Sequence, residues 1–382
     1  MAPAPQATED QRAVALVVVV GLLLASMVVA GWFHRAFLLP DAATWERGRT
    51  ISAAYDPPDQ PVELYFNQGD GQLFAHQAMD PFVRHPEGIR GGAAEQAYRL
   101  QRPLYGWVGW IASAGQPAAV AWALIAVTVL AVGLLAGLAA TLAATWGRSP
   151  WWGLAVLAAP GVSVDLIRCG PEALAAALVA GGLLAWLGPR RRTWPAVACF
   201  ALACLARETL VVVPVTLVAV DWWSSRLPGR PWAGAVRRAW SPLFASLVPF
   251  VAWVLVLRVG LGAWPRGSVE GRLSPIPFSG LVAARGRFDG EELLALALLF
   301  GPALVALVRG RDLRLRGLVA AHLVLAAVMG EAVWVSWLDF GRVLLPLSLV
   351  SLLALLAPAP APSGPEPAAA PAPARRLAPV GG

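Results

Sequence analysis

The sequence contains no lysine, so all 30 of its Lys/Arg-type cations are arginines. Charged residues of either sign make up 14% of the chain, against roughly 25% in soluble domains, while 58% of the residues are hydrophobic. The net charge of +7 does not indicate a nucleic-acid partner, because the arginines concentrate in short loops between apolar runs, where they orient a membrane protein. The shortage of charge excludes an ordinary soluble fold.

Cysteine and the short motifs of soluble enzymes are also scarce. The three cysteines, Cys169, Cys199 and Cys204, lie in or beside apolar runs without zinc or disulfide spacing, so we expect them to pack between helices. The chain has no P-loop, nucleophile elbow, His-Glu-x-x-His or dinucleotide fingerprint. ATP-driven transport and soluble hydrolase chemistry therefore have no support in the sequence.

Long apolar runs are what the sequence has instead. Runs such as 13–32, 119–145 and 243–261 reach the length of about 20 residues that a helix needs to cross a hydrocarbon layer. Gly133 and Gly137 form a GxxxG pattern in the second of these runs, which predicts close helix packing. The arginine-rich loops, which should face the cytoplasm, are at 189–193, 224–239 and 309–316. Threading the runs through these loops predicts an all-α polytopic transmembrane bundle of about ten spans.

The domain boundaries follow from that threading. We expect residues 1–12 to be a cytoplasmic tail, 13–357 the transmembrane domain and 358–382 a disordered, Pro/Ala-rich cytoplasmic tail. Within the domain, 33–103 form the first external loop. The first run is expected to remain as an uncleaved helix rather than to act as a signal peptide, because the residues before it carry two acids against one arginine.

One apolar segment, 195–223, begins and ends at arginine-rich loops but is too short for two full spans. We predict two short helices that meet at Arg207 and Glu208 inside the protein. Charges there cost about 2.5–3.5 kcal/mol each, so both should be paired and face a polar cavity. Because the two residues are adjacent, they should bridge to different partners. Trp222 and Trp223 at the end of the segment fit an interfacial belt.

The first external loop contains the most informative stretch. Asp70 lies between Gly69 and Gly71, so the backbone can turn tightly there and present the carboxylate. From this pattern alone, Asp70 either caps the helix that follows or is a functional acid.

Two short amphipathic, interfacial helices are expected in this loop. The first follows Asp70, and the members of its apolar face are Leu73, Phe74, Ala78 and Met79. The second begins at Pro103, a residue suited to the first helical position, and continues to Ile111.

Several stretches carry a resemblance to a known family. In the first external loop they are Asp70-Gly71-Gln72-Leu73-Phe74 and Tyr98-Arg99-Leu100-Gln101-Arg102-Pro103-Leu104-Tyr105. Farther along they are Pro160-Gly161, Leu205-Ala206-Arg207-Glu208-Thr209 and Asp339-Phe340-Gly341-Arg342. Together they resemble the GT-C superfamily of polytopic glycosyltransferases, which take sugars from polyprenyl-phosphate donors. Gly106 stands where that family has a proline, and Phe74 and His76 stand where it more often has tyrosines.

The resemblance implies that Asp70 is the catalytic base, taking the proton of an acceptor hydroxyl as it attacks the anomeric carbon. Arg99 and Arg102 are three residues apart and would share a face on a helix. They and Arg342 are the candidates for binding the donor phosphate, which suits the guanidinium fork. The alternative for the first two is that they extend to lipid headgroups.

A second group of residues is assigned to the cavity or to secondary acid roles. Its members are Asp80, Glu172, Arg207, Glu208 and Asp339. Structural alternatives exist for them. Asp80 precedes Pro81 and can end the first short helix, Glu172 suits the positive end of a helix dipole, and Asp339 is spaced for an ion pair with Arg342.

No cofactor is firmly implied. His76 and His85 lie in the same loop, but neither has clean ligand spacing with Asp70, so no metal ligand is assigned and a divalent metal requirement stays open.

The sequence therefore predicts a multi-pass protein of the bacterial inner membrane that is active on the non-cytoplasmic side. Its expected partners are the bilayer, a polyprenyl-phosphate-linked sugar donor and an envelope glycan or glycolipid acceptor. One alternative is a transporter or flippase for an envelope lipid or polymer, which needs charges near the bilayer midplane, where Arg207 and Glu208 are the candidates. Another is an inactive scaffold of the same architecture.

Overall fold

The computed structural model describes residues 4–38, 52, 54, 62, 66, 70–225, 242–266 and 273–358. In these residues the secondary structure is helical apart from two isolated β-bridges, Ser52 with Ile89 and Leu273 with Met329. The predicted all-α class is therefore confirmed for the described part of the chain. The C-terminal tail from 359 onward lies outside the described residues.

The α-helices of the first half are α1 (Ala4–Leu38), α2 (Gly71–Met79), α3 (Ala93–Leu100), α4 (Pro103–Ala112), α5 (Pro117–Thr145), α6 (Pro160–Arg168) and α7 (Glu172–Leu187). Those that follow are α8 (Thr193–Ala206), α9 (Val212–Ser225), α10 (Val248–Leu261), α11 (Ser279–Ala284), α12 (Gly290–Arg309), α13 (Leu313–Ala327), α14 (Glu331–Trp334), α15 (Trp337–Val343) and α16 (Leu345–Leu356). The 3₁₀ helices Pro86–Gly88, Pro150–Ala158, Glu208–Val211, Pro242–Leu247 and Arg285–Arg287 lie between them.

Several helices are long and apolar enough to cross a membrane. Among the described residues there are four, Thr8–Trp32, Pro117–Thr145, Pro242–Leu261 and Gly290–Arg309, or six if two bent helix pairs each count as one span. The expected ten spans are not confirmed. Helices α7 and α8, with 16 and 14 residues, rise only about 24 and 21 Å at about 1.5 Å per residue, less than a hydrocarbon layer of about 30 Å.

The boundary expected at the N-terminus also differs. Helix α1 begins at Ala4, so most of the segment predicted to be a tail continues the helix.

Helix α5 lies at the centre of the bundle and α1 at its edge. Two-thirds of the most apolar window of α5 is buried, against 17% of that of α1. The glycine pattern of α5 faces α1, because a Cβ at Gly133 would overlap Leu22 and one at Gly137 would overlap Val18. The GxxxG pattern therefore packs helices, as the sequence predicted.

The first external loop contains both expected short helices, α2 and α4, and one more, α3. Helix α2 is not an interfacial helix facing lipid, since its apolar side chains are buried within the protein. Phe74 packs edge-on against Tyr105 of α4 at 5.3 Å, and the Tyr105 hydroxyl donates to the Leu124 carbonyl of α5 at 2.9 Å. Helix α4 leaves Trp110 and Ile111 partly exposed. These contacts fix the loop on the end of the bundle.

Two bent helix pairs cross beside this loop. The 3₁₀ helix Pro150–Ala158 meets α6 at 66°, and α15 meets α16 at 54°. Helices α6 and α15 cross where Gly161 lies against Gly341, and a Cβ at Gly161 would overlap the Gly341 carbonyl. Two glycines at the contact allow the backbones to approach closely, which brings the ends of both bent pairs to the same place.

Candidate active site

Asp70 precedes the first turn of α2, but its carboxylate does not cap the helix. Its backbone carbonyl accepts from the N–H groups of Leu73 and Phe74, whereas its side chain makes no capping bond. The carboxylate instead accepts from Arg342 Nη1 at 2.5 Å. The glycine at position 71 brings this turn close to α6, since a Cβ there would lie 3.1 Å from the Arg168 carbonyl oxygen.

Arg342 belongs to a row of four charged side chains whose signs alternate. Its Nη2 lies 3.5 Å from Asp339, the i,i+3 pair that the sequence predicted, and Asp339 in turn lies 3.5 Å from Arg168 Nη1. The four side chains keep between 18% and 33% of their surface exposed. These four side chains form the open side of the site, which solvent can reach.

Arg102 and Glu208 form a second pair beside it. Arg102 donates from Nε and Nη2 to the two carboxylate oxygens of Glu208, at 2.5 and 2.7 Å, which is the two-pronged geometry that guanidinium favours. The Tyr98 hydroxyl accepts a further bond from Arg102 at 3.2 Å. This pair links the first external loop to the break between α8 and α9.

The buried side of the site consists of Asp165, Glu172 and Arg207. Arg207 donates to Glu172. Asp165 accepts from the backbone N–H of Ala173 at 2.5 Å and of Glu172 at 3.3 Å, so it caps α7 from another helix. A Cβ at Gly170 would overlap carboxyl oxygens of both acids. A larger residue at this position would displace the two carboxyl groups from where they meet.

We call these nine residues the charged cluster. Its members are Asp70, Arg102, Asp165, Arg168, Glu172, Arg207, Glu208, Asp339 and Arg342. They come from five separate parts of the sequence: the first external loop, the end of α6, the start of α7, the break after α8, and α15.

Electrostatics joins the parts of the cluster. Burial alone would raise the pKa of Asp70, but Arg342, then Arg102 and Arg99, outweigh it and hold that pKa well below its usual range. The pKa of Arg102 is raised despite its burial, chiefly by Glu208, with Tyr98 and Asp70 contributing. Asp70 and Arg102 are therefore ionised, and the charge of each stabilises the charged form of the other.

The structure brings seven of the nine assigned residues into the cluster and leaves Arg99 and Asp80 outside it. Arg99 ends in a pair with Glu95 at 2.7 Å. It lies in α3, whereas Arg102 follows a break in the helix, so the expectation that the two share a helical face is wrong. The carboxylate of Asp80 accepts from the backbone N–H groups of Arg84 and His85, at 2.9 and 2.6 Å, so it holds the turn after α2.

Arg207 and Glu208 bridge to different partners, as predicted. Their partners are Glu172 and Arg102 respectively. Since Arg102 belongs to the first external loop, the contact of Glu208 holds the break after α8 against that loop.

Three members or neighbours of the cluster were missed as site residues. Arg168 and Asp165 lie at the end of an apolar run, where the sequence suggests only a membrane boundary. Tyr98 stands within the Tyr-Arg-x-x-Arg stretch that carries the resemblance, four residues before the arginine that it contacts, and its place in that stretch was the available signal.

Metal ligation has no candidate group in the part of the chain that is described. No three His, Cys, Asp or Glu side chains there are arranged to hold an ion. His76 Nε2 lies 3.2 Å from the His85 carbonyl, and His85 Nδ1 lies 3.1 Å from Glu87. Burial lowers the pKa of His76, which favours its neutral form. These histidines organise the loop.

Two guanidinium groups of the cluster, Arg342 and Arg168, lie on its open side, where they are accessible to an anionic ligand. Arg342 Nε is buried and has no hydrogen-bond partner among the described residues, and its other nitrogens are shared between two carboxylates. A phosphate reaching Arg342 and Arg168 would meet two guanidinium groups with an ionised carboxylate beside them.

Comparisons of the chain with protein-family models, with curated proteins and with solved structures found no match.

Proposed function

We propose that this chain is a membrane glycosyltransferase that moves a sugar from a polyprenyl-phosphate donor to a hydroxyl of an envelope glycan or glycolipid. The observation that carries the proposal is convergence: the stretches that resemble the GT-C superfamily, far apart in sequence, meet around Asp70 at one end of an apolar bundle. A lipid-linked donor needs its phosphate at the membrane boundary while its tail stays in the bilayer.

In the proposed reaction the acceptor oxygen attacks the anomeric carbon and its proton passes to Asp70. The bond from that carbon to the phosphate oxygen breaks, and the electron pair leaves with the polyprenyl phosphate. Arg342 and Arg102, with Arg168 as an added candidate, stabilise the phosphate charge. Among the described residues Arg342 is the donor to one oxygen of Asp70, Oδ2, which leaves Oδ1 for the acceptor hydroxyl.

The ion pair with Arg342 makes Asp70 a poor base. An opposite charge in contact lowers the pKa of the carboxyl and with it the drive to take a proton. A donor phosphate that binds Arg342 would draw the guanidinium away from Asp70 and raise that pKa. Donor binding would thus activate the base.

The test is sugar transfer in vesicles that contain the purified protein, a polyprenyl-phosphate sugar and a glycan or glycolipid acceptor. Asp70→Asn should reduce transfer by about 100-fold or more, because general-base catalysis contributes about 10²–10⁴-fold. Glu87→Gln, an exposed acid of the same loop, is the matched control and should keep full transfer. Full activity in Asp70→Asn, with insertion unchanged, would remove the assigned base.

A transporter or flippase for an envelope lipid or polymer is the second candidate. Its support is the buried group of Asp165, Glu172 and Arg207 beside two bent helix pairs, since broken helices and buried charges are common in transporter binding sites. The same vesicles decide between the candidates: a transporter would move labelled lipid across the bilayer without any sugar transfer. An inactive scaffold would do neither.

We propose that the protein lies in a bacterial inner membrane with the cluster on the non-cytoplasmic side.

A further inference from the structure

The end of the bundle opposite the charged cluster carries a second concentration of charge. Helix α7 connects the two ends: Glu172 at its start belongs to the cluster, and Trp186 near its end contacts the arginine-rich turn that follows. Fourteen residues of helix separate them by about 21 Å. Two turns meet here, 188–192 after α7 and 309–316 around the start of α13.

Asp221, in the last part of α9, joins these two turns. Its carboxylate accepts from Arg314 Nε at 2.6 Å and lies 3.7 Å from Arg191 Nη2. The Arg191 guanidinium also lies 3.3 Å from the centre of the Trp186 ring. One arginine from each turn is thus held in a fixed place, beside the same carboxylate.

The acids of these turns do not neutralise their arginines. The two segments contain seven arginines, Arg190, Arg191, Arg192, Arg309, Arg311, Arg314 and Arg316, against one acid of their own, Asp312, and Asp221 of α9. Asp312 is occupied as the N-cap of α13, accepting from the backbone N–H groups of Arg314 and Leu315. Arg191 and Arg314 keep 48% and 38% of their side-chain surface exposed. An anion can therefore reach both guanidinium groups.

Exposed tryptophans surround the same end. Trp194 and Trp223 are 70% and 64% exposed, and Trp222 is 38% exposed. Tryptophan indoles at the ends of membrane helices lie at the level of lipid headgroups. With these indoles at the headgroup level, the paired arginines would lie among lipid phosphate groups rather than in free water.

We propose that Arg191 and Arg314, oriented by Trp186 and Asp221, bind the phosphate group of an anionic phospholipid. The guanidinium fork matches phosphate oxygens, and basic pockets between helix ends are known to recognise such headgroups. The flanking indoles provide the apolar surface for the acyl chains. This site is independent of the sugar-transfer proposal and lies at the other end of the molecule.

The test measures lipid binding by native mass spectrometry and thermal unfolding of the full-length protein with added cardiolipin, phosphatidylglycerol or phosphatidylcholine. The two anionic lipids should stay bound and raise the Tm, and phosphatidylcholine should not. Arg191→Lys with Arg314→Lys keeps the charge but loses the fork, and should weaken anionic lipid binding about tenfold. Arg309→Lys with Arg311→Lys makes the same change beside the pair and should bind as the parent does.

The same measurements can overturn the proposal. Equal binding by both lysine variants and the parent would mean diffuse charge attraction, not a built site. Loss of binding in the Arg309 and Arg311 variant as large as in the other would have the same meaning. Inorganic phosphate at millimolar concentration that displaces the lipid completely would point to a soluble phosphate ligand instead. Because neither variant alters net charge, topology is preserved in all arms.

Discussion

The carboxylate of Asp70 accepts from Arg342, 272 residues farther along the chain, rather than from the N–H groups of the helix that it precedes. A residue in the position of a helix cap is thus committed to a long-range ion pair. Because Arg342 also contacts Asp339, one guanidinium holds the first external loop against α15.

The stability that the ion pair of Asp70 with Arg342 contributes should depend on pH. In the parent protein Arg342 keeps the pKa of Asp70 well below its usual range, so the pair contributes stability at neutral pH and loses it only as the pH falls through that lowered value. In Arg342→Gln the burial of Asp70 is no longer offset by its main partner, and its pKa should rise. Thermal unfolding between about pH 8 and pH 4, which spans the ordinary Asp range, should show the variant less stable than the parent at neutral pH, with the difference shrinking as the pH falls and Asp70 becomes protonated in the variant. A stability difference that stays the same at every pH would contradict the ion pair.

Two arginines three residues apart should differ sharply on substitution. Arg102→Lys removes the guanidinium fork that is held in place by Glu208 and that we assign to the donor phosphate. Losing one charged hydrogen bond to the phosphate, about 1.5–3 kcal/mol, should raise the donor KM about 10- to 100-fold. Arg99→Lys keeps a simple i,i+4 pair with Glu95 and should change the KM less than about twofold. Steady-state transfer kinetics measure both. Equal effects would indicate that Arg102 does not position donor phosphate.

Removing one partner of the buried pair should be costly. Glu172→Gln leaves Arg207 charged and unpaired where both side chains are almost fully buried, and should destabilise the protein by about 3–5 kcal/mol. Adding Arg207→Met should recover part of that loss. Glu331→Gln, from a half-exposed pair with Arg287, is the control and should cost about 0–1 kcal/mol. Thermal unfolding measures the stability of all three variants. A double variant less stable than Glu172→Gln alone would contradict the buried ion pair.

The glycine crossing should not accept a methyl group. Gly161→Ala places a Cβ against the Gly341 carbonyl, and separating α6 from α15 should cost about 1–3 kcal/mol and loosen the cluster. Gly301→Ala is the matched control, because its Cβ would meet nothing within 4 Å. It should be neutral or stabilising by up to about 1 kcal/mol. Unfolding temperatures of the two variants in one detergent decide the matter, and similar values would mean that the crossing tolerates separation.

Local features of the sequence determined much of the fold. The lengths of the apolar runs and the arginines in the loops predicted the all-helical membrane class. The hydrocarbon core holds no water, so a segment that crosses it must form its backbone hydrogen bonds internally, as a helix does. Gly71 and Pro103 marked the starts of α2 and α4, and the charged step at Arg207 and Glu208 marked the break between α8 and α9. These are short-range effects, which neighbouring residues decide among themselves.

Pairing over long distance was decided by tertiary structure alone. The sequence offers 30 arginines and 23 acids, and no local rule says that Asp70 meets Arg342 or that Arg102 meets Glu208. The number of spans was likewise outside its reach, because the run lengths in the sequence do not show where a helix bends or breaks, as it does between Pro150–Ala158 and α6 and between α15 and α16. Sequence thus set most of the helices, whereas the packing of helices that are distant in sequence, such as α6 against α15 at Gly161, decided which charges came together at one end of the bundle.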